Sequence, residues 1–338
     1  MSTYDALLVV SFGGPEGPDD VVPFLENVTR GRGIPRERLA EVGAHYLQFG
    51  GVSPINAQCR SLIDALRVEL ADAGHDLPVY WGNRNWHPML ADTMRAMRDD
   101  GVRSALAFVT SAWSSYSACR QYLDDIAAAQ ALVGDGAPSV DKIRQFSDHP
   151  GFVEPMADNL RAALTAAGTG AAARGTRVVF SAHSIPTSMA QSCDYVAQLR
   201  TAARLVADRV GVAQYDIAYQ SRSGPPAVPW LEPDVGDRID ALAHDGVTTV
   251  VVVPIGFISD HMEVVYDLDT LAAARAAACG VRFSRAATVG TDPRFVSMIR
   301  ELVEERLDPA VPRRALGELG VRPDRCPPGC CPAPTRTR

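Results

Sequence analysis

Basic charge is in deficit in this chain of 338 residues: 33 Lys and Arg stand against 40 Asp and Glu, giving a net charge of −7 and a pI of about 5.5. A nucleic-acid-binding face needs a basic patch, so the deficit argues against that class. It also argues against adhesion to anionic lipid. Long hydrophobic runs are missing. The longest, 247–258, contains Thr248, Thr249, Pro254 and Gly256, and is too short and broken to span a bilayer. Met1-Ser2-Thr3-Tyr4-Asp5 has no basic stretch leading into an apolar one, so no secretory signal is expected and the cytoplasm is the expected location. A dinucleotide fingerprint is lacking as well, because the pair Gly13-Gly14 does not continue as G-x-G-x-x-G. The seven cysteines are odd in number and suit a reducing compartment, which argues against a disulfide framework.

What is present is ordinary globular composition, 46% hydrophobic and 22% charged, in enough chain for two domains. Short β-branched runs bounded by turn residues read as buried strands over 6–11, 79–81, 105–110, 177–181, 216–220 and 248–254. Helical periodicity occupies 53–73, 89–100, 121–133, 152–167, 189–210 and 295–306. Such alternation predicts an α/β fold with parallel sheets covered on both faces. The halves echo each other. Asp100-Gly101-Val102 and Asp245-Gly246-Val247 each lead into a strand, and Val9-Val10-Ser11-Phe12-Gly13-Gly14-Pro15 resembles Val179 to Pro186. The expected division is 1–150, 151–310 and an extension over 311–338, with the first boundary at Asp148-His149-Pro150.

In open α/β sheets ligands sit beyond the carboxyl ends of the strands, so the residues there are the ones to read. His183 follows such a strand, and Pro186 fixes the exit of its loop. Taken alone, a histidine is more often structural. Ser259 is a candidate helix cap, with Asp260 in the first turn. Glu263 and Asp267 then share one helix face, as either a solvated acidic surface or a track for a cation or protons. Tyr219-Gln220-Ser221-Arg222-Ser223-Gly224-Pro225-Pro226 reads as a stiff loop that orients its neighbours.

In order and spacing, Ser181-x-His183-x-x-Pro186, Tyr219-Gln220-Ser221-Arg222-x-Gly224-Pro225 with Trp230-Leu231-x-Pro233, and Phe257-x-Ser259-Asp260-His261-x-Glu263-x-x-x-Asp267-x-Asp269 resemble the ferrochelatase family. Ser11-Phe12-Gly13-Gly14-Pro15 and Gly50-Gly51-x-Ser53-Pro54 fit it too, so the likeness runs over about residues 4 to 310. It implies a chelatase-like fold of two similar doubly wound, Rossmann-like domains, each a parallel four-stranded sheet flanked by helices. It also implies a lyase that inserts ferrous iron into a porphyrin in heme biosynthesis. His183 would then bind iron or accept pyrrole protons. Glu263 would face it across the insertion site, and Asp267 would continue an acidic delivery route. Tyr46, Ser53 and Tyr122 match porphyrin-contacting positions, and Arg30 and Arg32 suit propionates. Two positions depart from some bacterial relatives: Phe12 replaces a tyrosine able to ligate iron, and Arg84 replaces a lysine.

The tail Cys326-Pro327-Pro328-Gly329-Cys330-Cys331-Pro332 resembles the extension that carries a [2Fe–2S] cluster in some ferrochelatases. Four thiolates are needed. The resemblance implies Cys326, Cys330 and Cys331 with Cys119 upstream, Cys193 being the reserve. Zinc on the same thiolates and a free tail are the alternatives, whereas Cys59 and Cys279 read as small hydrophobes. Coproporphyrin III is favoured over protoporphyrin IX as substrate. No long apolar lip for membrane docking is evident, and the Arg30/Arg32 segment suits four carboxylates. The competing readings are a protoporphyrin enzyme, a non-catalytic tetrapyrrole or metal carrier, and a cobalt or nickel chelatase. A monomer without nucleic-acid or integral-membrane partners is expected.

Overall fold

A computed structural model describes residues 4–31, 33–327 and 329–333. The first half runs β1 (Ala6–Ser11), α1 (Pro18–Val28), α2 (Arg36–Leu47), α3 (Ile55–Asp72), β2 (Val79–Asn83), α4 (Leu90–Asp99), β3 (Ser104–Val109), a π-helical turn (Tyr116–Arg120), α5 (Gln121–Val133) and β4 (Ser139–Lys142). The second runs α6 (Pro150–Ala166), β5 (Thr176–His183), α7 (Thr187–Gln191), α8 (Tyr195–Val210), β6 (Tyr215–Gln220), α9 (Val235–His244) and β7 (Thr249–Val253). It continues through α10 (Met262–Val264), a π-helical segment (Val265–Ala272), α11 (Ala273–Ala278), β8 (Arg282–Arg285) and α12 (Pro293–Leu307).

Two parallel four-stranded sheets result, in the orders β2-β1-β3-β4 and β6-β5-β7-β8. The same winding is used twice. In each sheet the first strand pairs with the second on one side and the third on the other, so the chain reverses direction beside β1 and beside β5. A crevice opens at such a switch point, at the strands' carboxyl ends. Every residue of β1 and of β7 is buried, as expected of strands covered on both faces. β4 and β8 are edge strands with polar sequences, Ser-Val-Asp-Lys and Arg-Phe-Ser-Arg, and no hydrophobic run announces them.

The halves are not separate cores. One buried cluster runs from Leu7 and Phe108 through Phe146, Phe152 and Phe180 to Phe295 and Val303. Polar bonds cross the junction: the Trp113 indole donates to the Gly256 carbonyl (2.9 Å), and Gln198 bonds the Ser114 amide (2.7 Å) and hydroxyl (2.9 Å). A buried Arg144–Glu305 pair is bidentate, at 2.7 and 2.8 Å. The His149 imidazole caps α6 by accepting from the Gly151 amide; burial, with Arg144 and Arg314 nearby, pushes its pKa down to about 3, so it stays neutral. α1 and α2 form a separate hairpin around Val21, Phe24, Leu25 and Leu39. Among the described residues, no helix is long and apolar enough to cross a membrane.

Candidate active site

His183 is the last residue of β5, and Glu263 lies in the helix that follows β7. Adjacent strands therefore deliver both to one end of the second sheet. Their side chains approach to 3.6 Å (Nε2 to Oε2) and keep 33% and 48% of their surface exposed. The two side chains thus face each other directly at that end of the sheet. Both rise from the same wall, close enough for the Glu263 carboxylate to favour the protonated form of the imidazole. From the first half, Tyr46 reaches the same place, close enough for the charges of Glu263 and Asp267 to act on it. Beside it, the His45 ring stacks on Tyr266 at 4.0 Å.

The loop that places Glu263 needs Gly256, because a Cβ there would lie 2.7 Å from Ala182 of β5. The helix itself starts at Met262, and the His261 imidazole caps it by accepting from the Glu263 amide (3.1 Å). Ser259 is thus not the cap and Asp260 is not in the first turn; Asp260 instead pairs with Arg285. The β6 loop orients the acidic wall, as its stiffness suggested. Gln220 donates to the Glu263 carbonyl (2.9 Å), and the Ser221 hydroxyl donates to Asp267. From α8, the Tyr195 hydroxyl donates to the His183 carbonyl (2.9 Å), a support with no motif to announce it. His183 Nδ1 is bonded to the Ser184 carbonyl, which leaves Nε2 toward Glu263.

These contacts set the charges. Burial disfavours the imidazolium of His183, but Glu263, the Ser184 carbonyl and Asp267 outweigh it, and the pKa is raised. Burial likewise opposes ionisation of Glu263, yet His183 and His261 bring its pKa down to about 2. Burial pushes Asp267 up to about 6; the Ser221 bond works against that rise and the Glu263 charge adds to it. The wall thus holds a fixed carboxylate, an imidazole and a carboxyl that titrates near neutrality.

The other expected residues are less uniformly placed. Tyr46 packs edge-on against Phe24, which also meets Phe12 and Trp86. Ser53 is buried against the Gly13-Gly14 turn. Tyr122 is buried beneath the Arg84 guanidinium, 4.5 Å over its ring, and Arg84 is tied to Asp125. The exposed Arg30 has no ion-pair partner among the described residues, and Arg32 lies outside them.

The tail doubles back over the junction. Arg313 pairs with Glu305, Arg314 with Glu301, Arg322 with Asp194 and Arg325 with Asp141, so both halves hold it. Cys326 is thereby laid against Cys119 and Cys330, Cys330 lies 3.5 Å from Cys331, and Cys331 touches Cys193. Five thiols form a row. Among the described residues, no three or more His, Cys, Asp or Glu side chains close around a point able to hold a single metal ion.

A protein of Rhodopirellula baltica named ferrochelatase is 54% identical over 97% of this chain and 93% of its own length. A Streptomyces griseus protein named coproporphyrin III ferrochelatase is 54% identical over 98% of this chain and 94% of its own. The sirohydrochlorin chelatase SirB of Bacillus subtilis subspecies spizizenii, solved with cobalt, shares 12% identity at a TM-score of 0.53, covering 89% of this chain and 94% of its own; this likeness concerns the two-domain chelatase-like fold alone. Residues 4–307 match the Ferrochelatase family itself, and the chain belongs to that family.

Proposed function

We propose that the protein inserts Fe2+ into coproporphyrin III, releasing two pyrrole protons and giving Fe-coproporphyrin III, a lyase reaction of heme biosynthesis. The near-full-length identity with a relative named for that porphyrin carries the reading. The His183–Glu263–Asp267 wall supplies suitable chemistry. Neutral His183 accepts a pyrrole proton at Nε2, and Glu263, ionised throughout the working range, stabilises the imidazolium and attracts the incoming cation. Asp267, titrating at about 6, passes protons or the cation onward. In this reading the porphyrin lies against the wall that carries both side chains, and Tyr46, close to Glu263 and Asp267, is a further contact. Tyr46, Ser53, Tyr122, Arg30 and Arg32 are the proposed porphyrin contacts. Of these, Arg30, which has no ion-pair partner among the described residues, is exposed and suited to meet a propionate.

A [2Fe–2S] cluster on the tail thiols belongs to the same reading, with Cys119, Cys326, Cys330 and Cys331 as the expected set. The residues fit. Thiols from three distant segments converge, Cys119 and Cys331 are buried, and the chain's one lysine, Lys142, is buried where its charge acts on Cys119 and Cys326. Bound there, the cluster would supply a redox-active tether. The division at 150 and 310, a monomeric state and a cytoplasmic location are proposed with it.

The test is insertion of Fe2+ by purified protein into coproporphyrin III and into protoporphyrin IX. Faster metallation of coproporphyrin III is expected. Equal or better turnover of protoporphyrin IX would sink the substrate assignment, and no turnover of either would leave a carrier.

A further inference from the structure

Five thiols converge where a two-iron cluster takes four. This inference rests on the cluster reading. The contacts sort the five. Cys119 and Cys326 touch each other, at the end of the row nearest Lys142. Cys331 stands between two neighbours, with Cys330 at 3.5 Å on one side and Cys193 on the other. Its backbone adopts a φ of +51°, a left-handed conformation that non-glycine residues seldom take. Only 2% of the residue is exposed. If Cys119 and Cys326 serve one iron and Cys331 the other, a single thiolate position is left for two candidates.

The candidates differ in setting. Cys330 lines a surface hollow of about 200 Å3, together with Tyr116, Arg120 and Asp124. Cys193 lies on the protein side, in the turn between α7 and α8, where its thiol donates to the Met189 carbonyl at 3.1 Å. We propose that Cys193 is a fifth cysteine of this centre, exchanging with Cys330 for one ligand position beside Cys331. In the exchange the Cys193 sulfur gives up its proton as it bonds to iron, and the departing Cys330 thiolate takes one up; no electrons move. Ligation by Cys119 alone ties the centre to the first half. Ligation by Cys193 ties it to the second as well, two residues from Tyr195, whose hydroxyl holds the His183 carbonyl.

The experiment is anaerobic purification of full-length wild type, Cys193→Ser, Cys330→Ser and the double variant. Iron and acid-labile sulfide are then assayed, and visible absorption and circular dichroism recorded. Far-ultraviolet circular dichroism and porphyrin binding serve as folding controls. Wild type and both single variants are expected to hold about two irons and two sulfides per chain. Charge-transfer bands should be altered in Cys330→Ser, and the cluster should be lost from the folded double variant. Loss from either single variant overturns the exchange while leaving the cluster reading intact, as does retention by the double variant. Wild type without iron and sulfide overturns both.

Discussion

Glu263 decides the charge on His183. Burial alone would lower the imidazole's pKa, and the carboxylate 3.6 Å away is the first of the contacts that together reverse this. The sign of a test follows. Glu263→Gln removes the negative charge while burial persists, so the His183 pKa falls; a ring titration followed by nuclear magnetic resonance that stays in place would refute the coupling. Loss of the imidazole itself, in His183→Ala, is expected to lower kcat for iron insertion by about 10²- to 10⁴-fold, the usual worth of a positioned general base. A protein that still inserts iron at the wild-type rate would remove His183 from the mechanism. Ser221 offers a finer probe. Its hydroxyl stabilises the Asp267 carboxylate, whose pKa is about 6. Ser221→Ala withdraws that bond, the pKa rises, and the acid limb of kcat/KM moves to higher pH, because Asp267 works ionised. An unmoved limb in the pH profile would exclude Asp267 as the group that titrates there.

At the scale of elements, the buried strands were legible because β1 and β7 are apolar but for the terminal Ser11 and Thr249, and so were the long helices α3, α5 and α12. The edge strands β4 and β8 were not, since an edge half open to water selects for polar residues. The single helix expected over 189–210 is broken at Ser192–Asp194, where the Ser192 and Cys193 side chains both bond the Met189 carbonyl and compete with helical pairing. His261 displaced Ser259 as cap because a histidine can also present an acceptor to the amide two residues on, a role that composition does not announce. The pairing of Glu263 with Asp267 on one helix face was visible as a spacing of four. The winding of that helix was not, for 265–272 is π-helical and periodicity rules assume an α-helix. The α1–α2 hairpin also escaped the sequence, its first helix carrying Pro23 in its interior and its second rich in charge. It has a small core of its own in which Phe24 meets Phe12, Tyr46 and Trp86. Phe24→Ala should therefore loosen the hairpin locally. The expected outcome is a KM for porphyrin raised several-fold with little change in kcat, and faster proteolysis between α1 and α2. An unaltered KM would show that the hairpin does not shape the porphyrin site.

For the whole molecule, the two sheets repeat one winding yet share one core, and that sharing governs how the chain unfolds. The cluster that starts at Leu7 ends at Val303, so neither half can melt without exposing apolar surface on the other. Far-ultraviolet circular dichroism and tryptophan fluorescence are accordingly expected to report one coincident urea transition. The buried Arg144–Glu305 pair stitches the β4 exit to α12 in the same junction, and the tail's Arg313 adds to it. Removing one partner strands the other charge away from water. Glu305→Gln is expected to lower the unfolding free energy by about 3–5 kcal/mol. The double change Arg144→Met with Glu305→Met deletes both charges and keeps most of the volume, so it should recover much of that loss. A single variant within about 1 kcal/mol of wild type, or transitions that separate in the wild type, would mean that the halves are held by something other than this shared interior.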